Sequence, residues 1–154
     1  MAEENKTTTP CRVILIPVDA SSHSEAAFDW YLSNIRHDND HVIIGHCHEI
    51  HQPVMPHAMD TDEWAKTVGV HEEKLKALEE KYSKKAQTAK LSAKILIKGG
   101  KPGEAICELA KEEHAQIIVM GSRGLGALRR TFLGSVSDYV LHHAHIPVII
   151  FPKK

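Results

Sequence analysis

Short apolar runs alternate along this chain with longer stretches in which apolar positions recur every three or four residues. The first run, residues 13–18 (VILIPV), is rich in β-branched side chains and suits a strand buried on both faces. It ends in Asp19, Ala20, Ser21 and Ser22. Ser22 with Glu25 three residues on has capping-box spacing. The helix predicted from there reaches about Arg36 and buries Ala27, Trp30, Tyr31 and Ile35. Residues 37–40 are polar and turn-like, 41–49 form a second strand, and 50–60, with two prolines and two histidines, read as a loop. From Thr61 to about Lys85 the period is helical again. Trp64, Val68, Leu75, Leu78 and Tyr82 make one stripe, and Glu72, Lys76, Glu79 and Glu80 a solvated face.

The alternation continues to the C-terminus. Residues 91–98 form a third strand, with Ala93, Ile95 and Ile97 on one side, broken by Gly99 and Gly100. Pro102 suits the first turn of a helix that runs to about His114 and turns Ile106, Leu109 and Ala110 inward. Residues 117–120 are a fourth strand, 121–134 a glycine-containing connection, and Ser135 with Asp138 opens a helix to about His143. Pro147 starts a fifth strand that ends at Phe151. Strands alternating with helices predict one doubly wound α/β domain, residues 11–154, with a parallel sheet and right-handed crossovers. Ligands of such sheets bind at the carboxyl ends of the strands, where the strand order reverses. Two segments qualify for that crevice: 19–22 and 121–135.

Composition narrows the picture. The 154 residues carry 19 basic and 20 acidic side chains, so a net charge of -1 gives no electrostatic reason for nucleic acid or acidic lipid as a partner. No stretch approaches the length of a membrane helix. Residues 1–10 are polar, lack a signal-peptide core and read as a disordered tail. Cys11, Cys47 and Cys107 are far apart and flanked by apolar residues, which predicts reduced, buried thiols and a cytoplasmic protein. Of the 12 histidines, His46 and His48 share one strand face, with His51 near by, and His142, His143 and His145 cluster near the C-terminus. No metal motif accompanies them, so no metal is assigned to side chains, though so many imidazoles can confer pH sensitivity near neutrality. Ser21, Ser22 and Ser135 lack a nucleophile motif, and no catalytic residue is assigned.

The chemistry concentrates in VMGSRGLGALRRTFLGSVS, from Val119 onward. Gly121, Gly124 and Gly134 lie in one connection, with Ser135 directly after the last. Glycines let backbone N–H groups form an anion nest, the start of a helix favours phosphate, and Arg123, Arg129 and Arg130 add positive charge. On these grounds alone the segment reads equally as a phosphate loop or as a turn and helix cap. It matches neither G-x-x-x-x-G-K-[ST] nor G-x-G-x-x-G.

Gly121, Gly124, Gly134 and Ser135 do match G-x2-G-x9-G-[ST], and the chain thereby resembles the ATP-binding branch of the universal stress protein family. Pro17, Val18, Asp19 and Ser21 (P-V-D-x-S), Gly100 with Pro102, and Pro147 with Val148 carry the resemblance from Arg12 to Pro152. It implies strand order 3-2-1-4-5 and a nucleotide site in which the glycine segment, with Arg123 the nearest cation, wraps the phosphates. Asp19 would approach the ribose, the backbone at Cys47 the adenine, and Met120 and Val136 the nucleotide's flank. The implied ligand is ATP, AMP or ADP, with Mg²⁺ able to accompany the phosphates. The implied function is a regulatory nucleotide-binding module of the stress response. A slow ATPase or nucleotidyl or phosphoryl transferase, and a scaffold with an empty cleft, are the alternatives. A homodimer through Val148–Phe151 is expected, because that strand is an apolar sheet edge and many relatives pair there.

Overall fold

The computed structural model describes residues 11–49, 60–122 and 133–152. The expectations for the tail 1–10, for the loop 50–59 and for Arg123, Gly124, Arg129 and Arg130 lie outside those residues. The elements follow in the order β1 (Arg12–Pro17), α1 (Ser22–Asn34), β2 (Asp40–His48), α2 (Thr61–Thr88), β3 (Ser92–Gly99), α3 (Pro102–Glu112), β4 (Ile117–Gly121), α4 (Ser135–His143) and β5 (Val148–Phe151). The strands form one parallel sheet in the order β3-β2-β1-β4-β5, as anticipated.

Alternation along the strands splits the core in two. Ile14, Ile16, Val42, Ile44 and Val119 turn toward α1 and α2, where they meet Phe28, Tyr31, Tyr82 and Ala86. Leu15, Ile43, Ile118 and Met120 turn toward α3 and α4, where they meet Ile106, Leu109, Ala110 and Val140. Fully buried side chains of this size each contribute about 1.5–3 kcal/mol. Gly103 lets α3 approach α4, since a Cβ there would stand 2.8 Å from the Tyr139 ring.

Several local expectations need correction. The cap of α1 is Ser21, whose hydroxyl accepts from the Ser24 N–H at 3.3 Å, while Ser22 is the first helical residue. Glu25 is no cap partner. It pairs with Lys81 and Lys85 of α2, at 2.6 and 3.0 Å, and ties the two helices together. The cap of α4 is Gly134 rather than Ser135, and no side chain caps it. Cys11 is exposed, and Cys47 and Cys107 are half-buried. Asp40 is not in a polar turn but 2% exposed at the start of β2. Its carboxylate accepts from Arg12 at 2.7 and 2.8 Å, from the Tyr31 hydroxyl at 2.5 Å and from the His37 N–H at 3.0 Å. Burial opposes ionisation, but these donors outweigh it and hold the Asp40 pKa down to about 2. Burial first, then Asp40, pushes the Tyr31 pKa up.

Candidate functional site

The chain leaves β1 into α1 on one face of the sheet, and leaves β4 toward α4 on the other. Neighbouring strands with opposite exits open a crevice at their carboxyl ends, between β1 and β4. Asp19 stands on one side of it. Asp19 Oδ1 accepts from the Ser21 N–H at 2.8 Å and from the Ser21 hydroxyl, an Asx turn that fixes the carboxylate. Ser24 ties the turn to the helix: its hydroxyl accepts from the Asp19 N–H at 3.1 Å and lies 3.4 Å from the Tyr82 hydroxyl. With Oδ1 engaged by the turn, Oδ2 is the carboxylate's second acceptor.

Ser122 and Gly134 stand on the other side. The Ser122 carbonyl accepts from the Gly134 N–H at 2.8 Å and from the Ser137 hydroxyl at 2.9 Å, and the Ser122 N–H donates to Phe151 at 2.9 Å. Both ends of the glycine segment are therefore fixed at one point beside β5. Directly after that pin, α4 begins at Ser135 without a side-chain cap. Ser135 is exposed and Val136 half-buried. The first N–H groups of a helix have no intrahelical acceptor and attract anions.

Gly121 has a packing reason of its own. A Cβ at Gly121 would stand 2.9 Å from the His23 carbonyl oxygen. The glycine therefore serves the close packing of α1 on β4. Pro17 and Val18 are buried, with Val18 in the α1/α2 core, and Met120 and Val136 pack in the α3/α4 core. Cys47, at the end of β2, packs in that second core as well, and burial pushes its thiol up to about 11. Such a thiol is neutral and a poor nucleophile. Ser24, Ser122 and Ser137 were missed by the sequence reading. For Ser24 the run Ser21, Ser22, Ser24 was the available signal, and only Ser22 was taken from it as a helix cap. Among the described residues no group of three or more histidine, cysteine or acidic side chains is placed to hold a metal ion. None of the described helices is long and apolar enough to cross a membrane.

A doubly wound parallel sheet with an Asx turn and a pinned glycine connection flanking its switch-point cleft defines an open α/β domain whose order, β3-β2-β1-β4-β5, is that of the Rossmann type. Within that class the chain belongs to the universal stress protein family, whose model matches residues 10–152. Over 53 residues it is 49% identical to universal stress protein Slr1101 of Synechocystis, an alignment covering 34% of this chain and 49% of that protein. Matches to three of the curated relatives span 35% to 49% of those proteins' lengths. The chain superimposes on protein MJ0577 of Methanocaldococcus jannaschii with a TM-score of 0.78 and 26% identity, covering 94% of this chain and 97% of that one. A universal stress protein family member of Arabidopsis thaliana, solved with AMP bound, shares the fold with a TM-score of 0.68 at 20% identity, covering 93% and 92%.

Proposed function

We propose that the chain is an adenine-nucleotide-binding module of the stress response, taking ATP, AMP or ADP in the β1/β4 crevice and acting through its occupancy. The observation that carries this reading is the pin at the Ser122 carbonyl. It fixes the glycine segment's ends beside the uncapped start of α4, across the switch point from Asp19. Phosphates then meet the N–H groups of Ser135 and Val136 and the backbone near Gly124, with Arg123 as counter-charge. A ribose hydroxyl donates to Asp19 Oδ2, and adenine reaches the backbone at Cys47. The AMP-bound neighbour supports the fold's capacity for such a ligand. Mg²⁺ would arrive on the phosphates, since the described side chains offer it no three-ligand group. The module works in the cytoplasm as a homodimer paired along β5.

Isothermal titration with ATP, AMP and ADP, together with identification of any small molecule retained on purification, tests the reading. Binding of one of them is expected. No binding by the folded protein would leave the empty scaffold as the alternative.

A further inference from the structure

The end of β2 carries an imidazole ladder that the nucleotide site does not use. His46 and His48 alternate onto the α2 face, their rings stacked with centroids 5.8 Å apart and planes 10° apart. His71, in the N-terminal half of α2, brings its ring to 5.6 Å from that of His48. Three rings thus run from strand to helix with His48 in the middle.

The rings differ in chemistry. His46 Nδ1 lies 2.8 Å from the Val18 carbonyl oxygen. A carbonyl only accepts, so this nitrogen carries the proton, and the bond survives protonation of Nε2. His48 Nδ1 is buried and has no hydrogen-bond partner among the described residues. In the neutral ring with its proton on Nε2, that atom holds only a lone pair, which costs little. In the imidazolium it becomes an N–H donor with nothing to receive it, carrying charge into a poorly solvated place.

The groups that face the ring from the described residues can be named element by element. From β2, His46 faces the ring, and Glu49 follows it in sequence. From α2 comes His71, while Glu79 lines a cavity of about 10 Å³ beside His46. From β3 the register positions opposite His46 and His48 are Ile97 and Gly99. Lys98 between them pairs with Glu112 and Glu108 of α3, at 2.7 and 3.4 Å, on the other face. From β1 the neighbour is Val18. Burial first, then repulsion from His46 and His71, holds the His48 pKa below its ordinary 6.5.

We propose that the His46–His48–His71 ladder is a proton-sensitive clasp that holds the N-terminal half of α2 against the end of β2 while His48 is neutral and releases it when His48 is protonated. The sign follows from linkage. A histidine whose folded pKa is lowered contributes stability above its ordinary value and loses that contribution as pH falls toward the lowered one. One proton taken up on opening raises the opening constant by up to about ten-fold per pH unit in that window. The opening is local. Tyr82 and Ala86 are the buried residues of α2, and both lie in its C-terminal half, where Lys81 and Lys85 also grip α1. Trp64, Val68 and Leu75 are only half-buried and Val70 is 51% exposed, which makes the first half the cheaper part to detach. Through the His46–Val18 bond the clasp adjoins the crevice. Its influence on nucleotide rests on the function proposed above, whereas the clasp itself does not.

Hydrogen exchange of the full chain at pH 7.5 and 5.5, corrected for intrinsic rates, tests it in the wild type and in His48→Phe, which keeps a ring but cannot titrate. Peptides from residues 61–75 are expected to lose protection on acidification in the wild type, by up to about ten-fold, and by less than about two-fold in the variant. Equal losses in both proteins, or a wild-type loss spread evenly over α3 and the sheet, would overturn the clasp. A histidine NMR titration of the wild type reads the same point without a variant: a His48 midpoint below 6.5 is expected, and one at or above it overturns the proposal. A pH-dependent α2 in a protein that binds no nucleotide would sink the proposed function and keep the clasp. Nucleotide binding with a pH-insensitive α2 would do the reverse.

Discussion

At the scale of single residues, Asp19 and Asp40 are both held by hydrogen bonds but differ in how visible they were. Asp19 was legible because a short polar run after a buried strand marks a turn. Its Oδ1 belongs to the Ser21 turn, so alanine at this position would remove turn and ligand contact together. Asp19→Asn separates them: the amide oxygen keeps the turn, while an NH₂ replaces the acceptor offered to ribose. Nucleotide affinity measured by calorimetry is expected to fall by about 1.5–3 kcal/mol, with the fold unchanged by circular dichroism. An equal loss for a ligand lacking the ribose hydroxyls would assign Asp19 a structural role. Asp40 was illegible because one acid in a polar stretch carries no sign of burial. Its reason lies 28 positions away, in Arg12. Its folded pKa of about 2 against an ordinary 3.8 means stability present above the ordinary value and lost as pH falls toward 2. Chemical denaturation between pH 4 and 2 is expected to show about 2 kcal/mol of that loss in the wild type, and Asp40→Asn to lack this component.

Elements were readable from period alone, with their ends shifted by a few residues. The caps moved by one position because Ser21 and Ser22, like Gly134 and Ser135, are chemically eligible neighbours, and only backbone geometry chooses between them. The glycine segment was found by its spacing, yet spacing could not tell a glycine kept for packing from one kept for phosphate. The two predict opposite phenotypes. Gly121→Ala is expected to destabilise the fold by about 1–3 kcal/mol, because the obstacle is the His23 backbone and not a flexible side chain. Gly124→Val is expected to abolish nucleotide binding with the melting temperature unchanged. Unaltered affinity in a folded Gly124→Val protein would remove the phosphate reading of the segment.

On the scale of the whole molecule, alternation implied a parallel sheet and the resemblance its strand order, and the structure has both. What the sequence could not supply was which backbone groups of β5 face outward. The Pro147 and Phe151 carbonyls accept from Ile118 and Ser122, so odd-numbered residues of β5 address β4 and Val148 and Ile150 present their amides to the open edge. In a dimer paired along this edge those two amides are expected to be as protected as that of Ile149. In a monomer they exchange freely. Sedimentation should give a dimer at concentrations on the order of 10 µM, and a monomer there sinks the pairing. Steady-state ATP turnover is expected below about 1 s⁻¹, the low end for enzymes, since the sequence shows no evident general base beside the glycine segment; a faster rate would make the chain an enzyme. The Arg12–Asp40–Tyr31 cluster, finally, bears on the order in which the chain assembles. It closes a span of 28 residues, whereas Gln116 at the start of β4 must return across 103 to meet Val13. Chain-closure entropy favours the shorter span by about 1 kcal/mol, so β1, α1 and β2 are expected to form the early nucleus, with β4 docking afterwards. Asp40→Asn should then slow refolding, while truncations in β4, such as Ile118→Val, should mainly hasten unfolding.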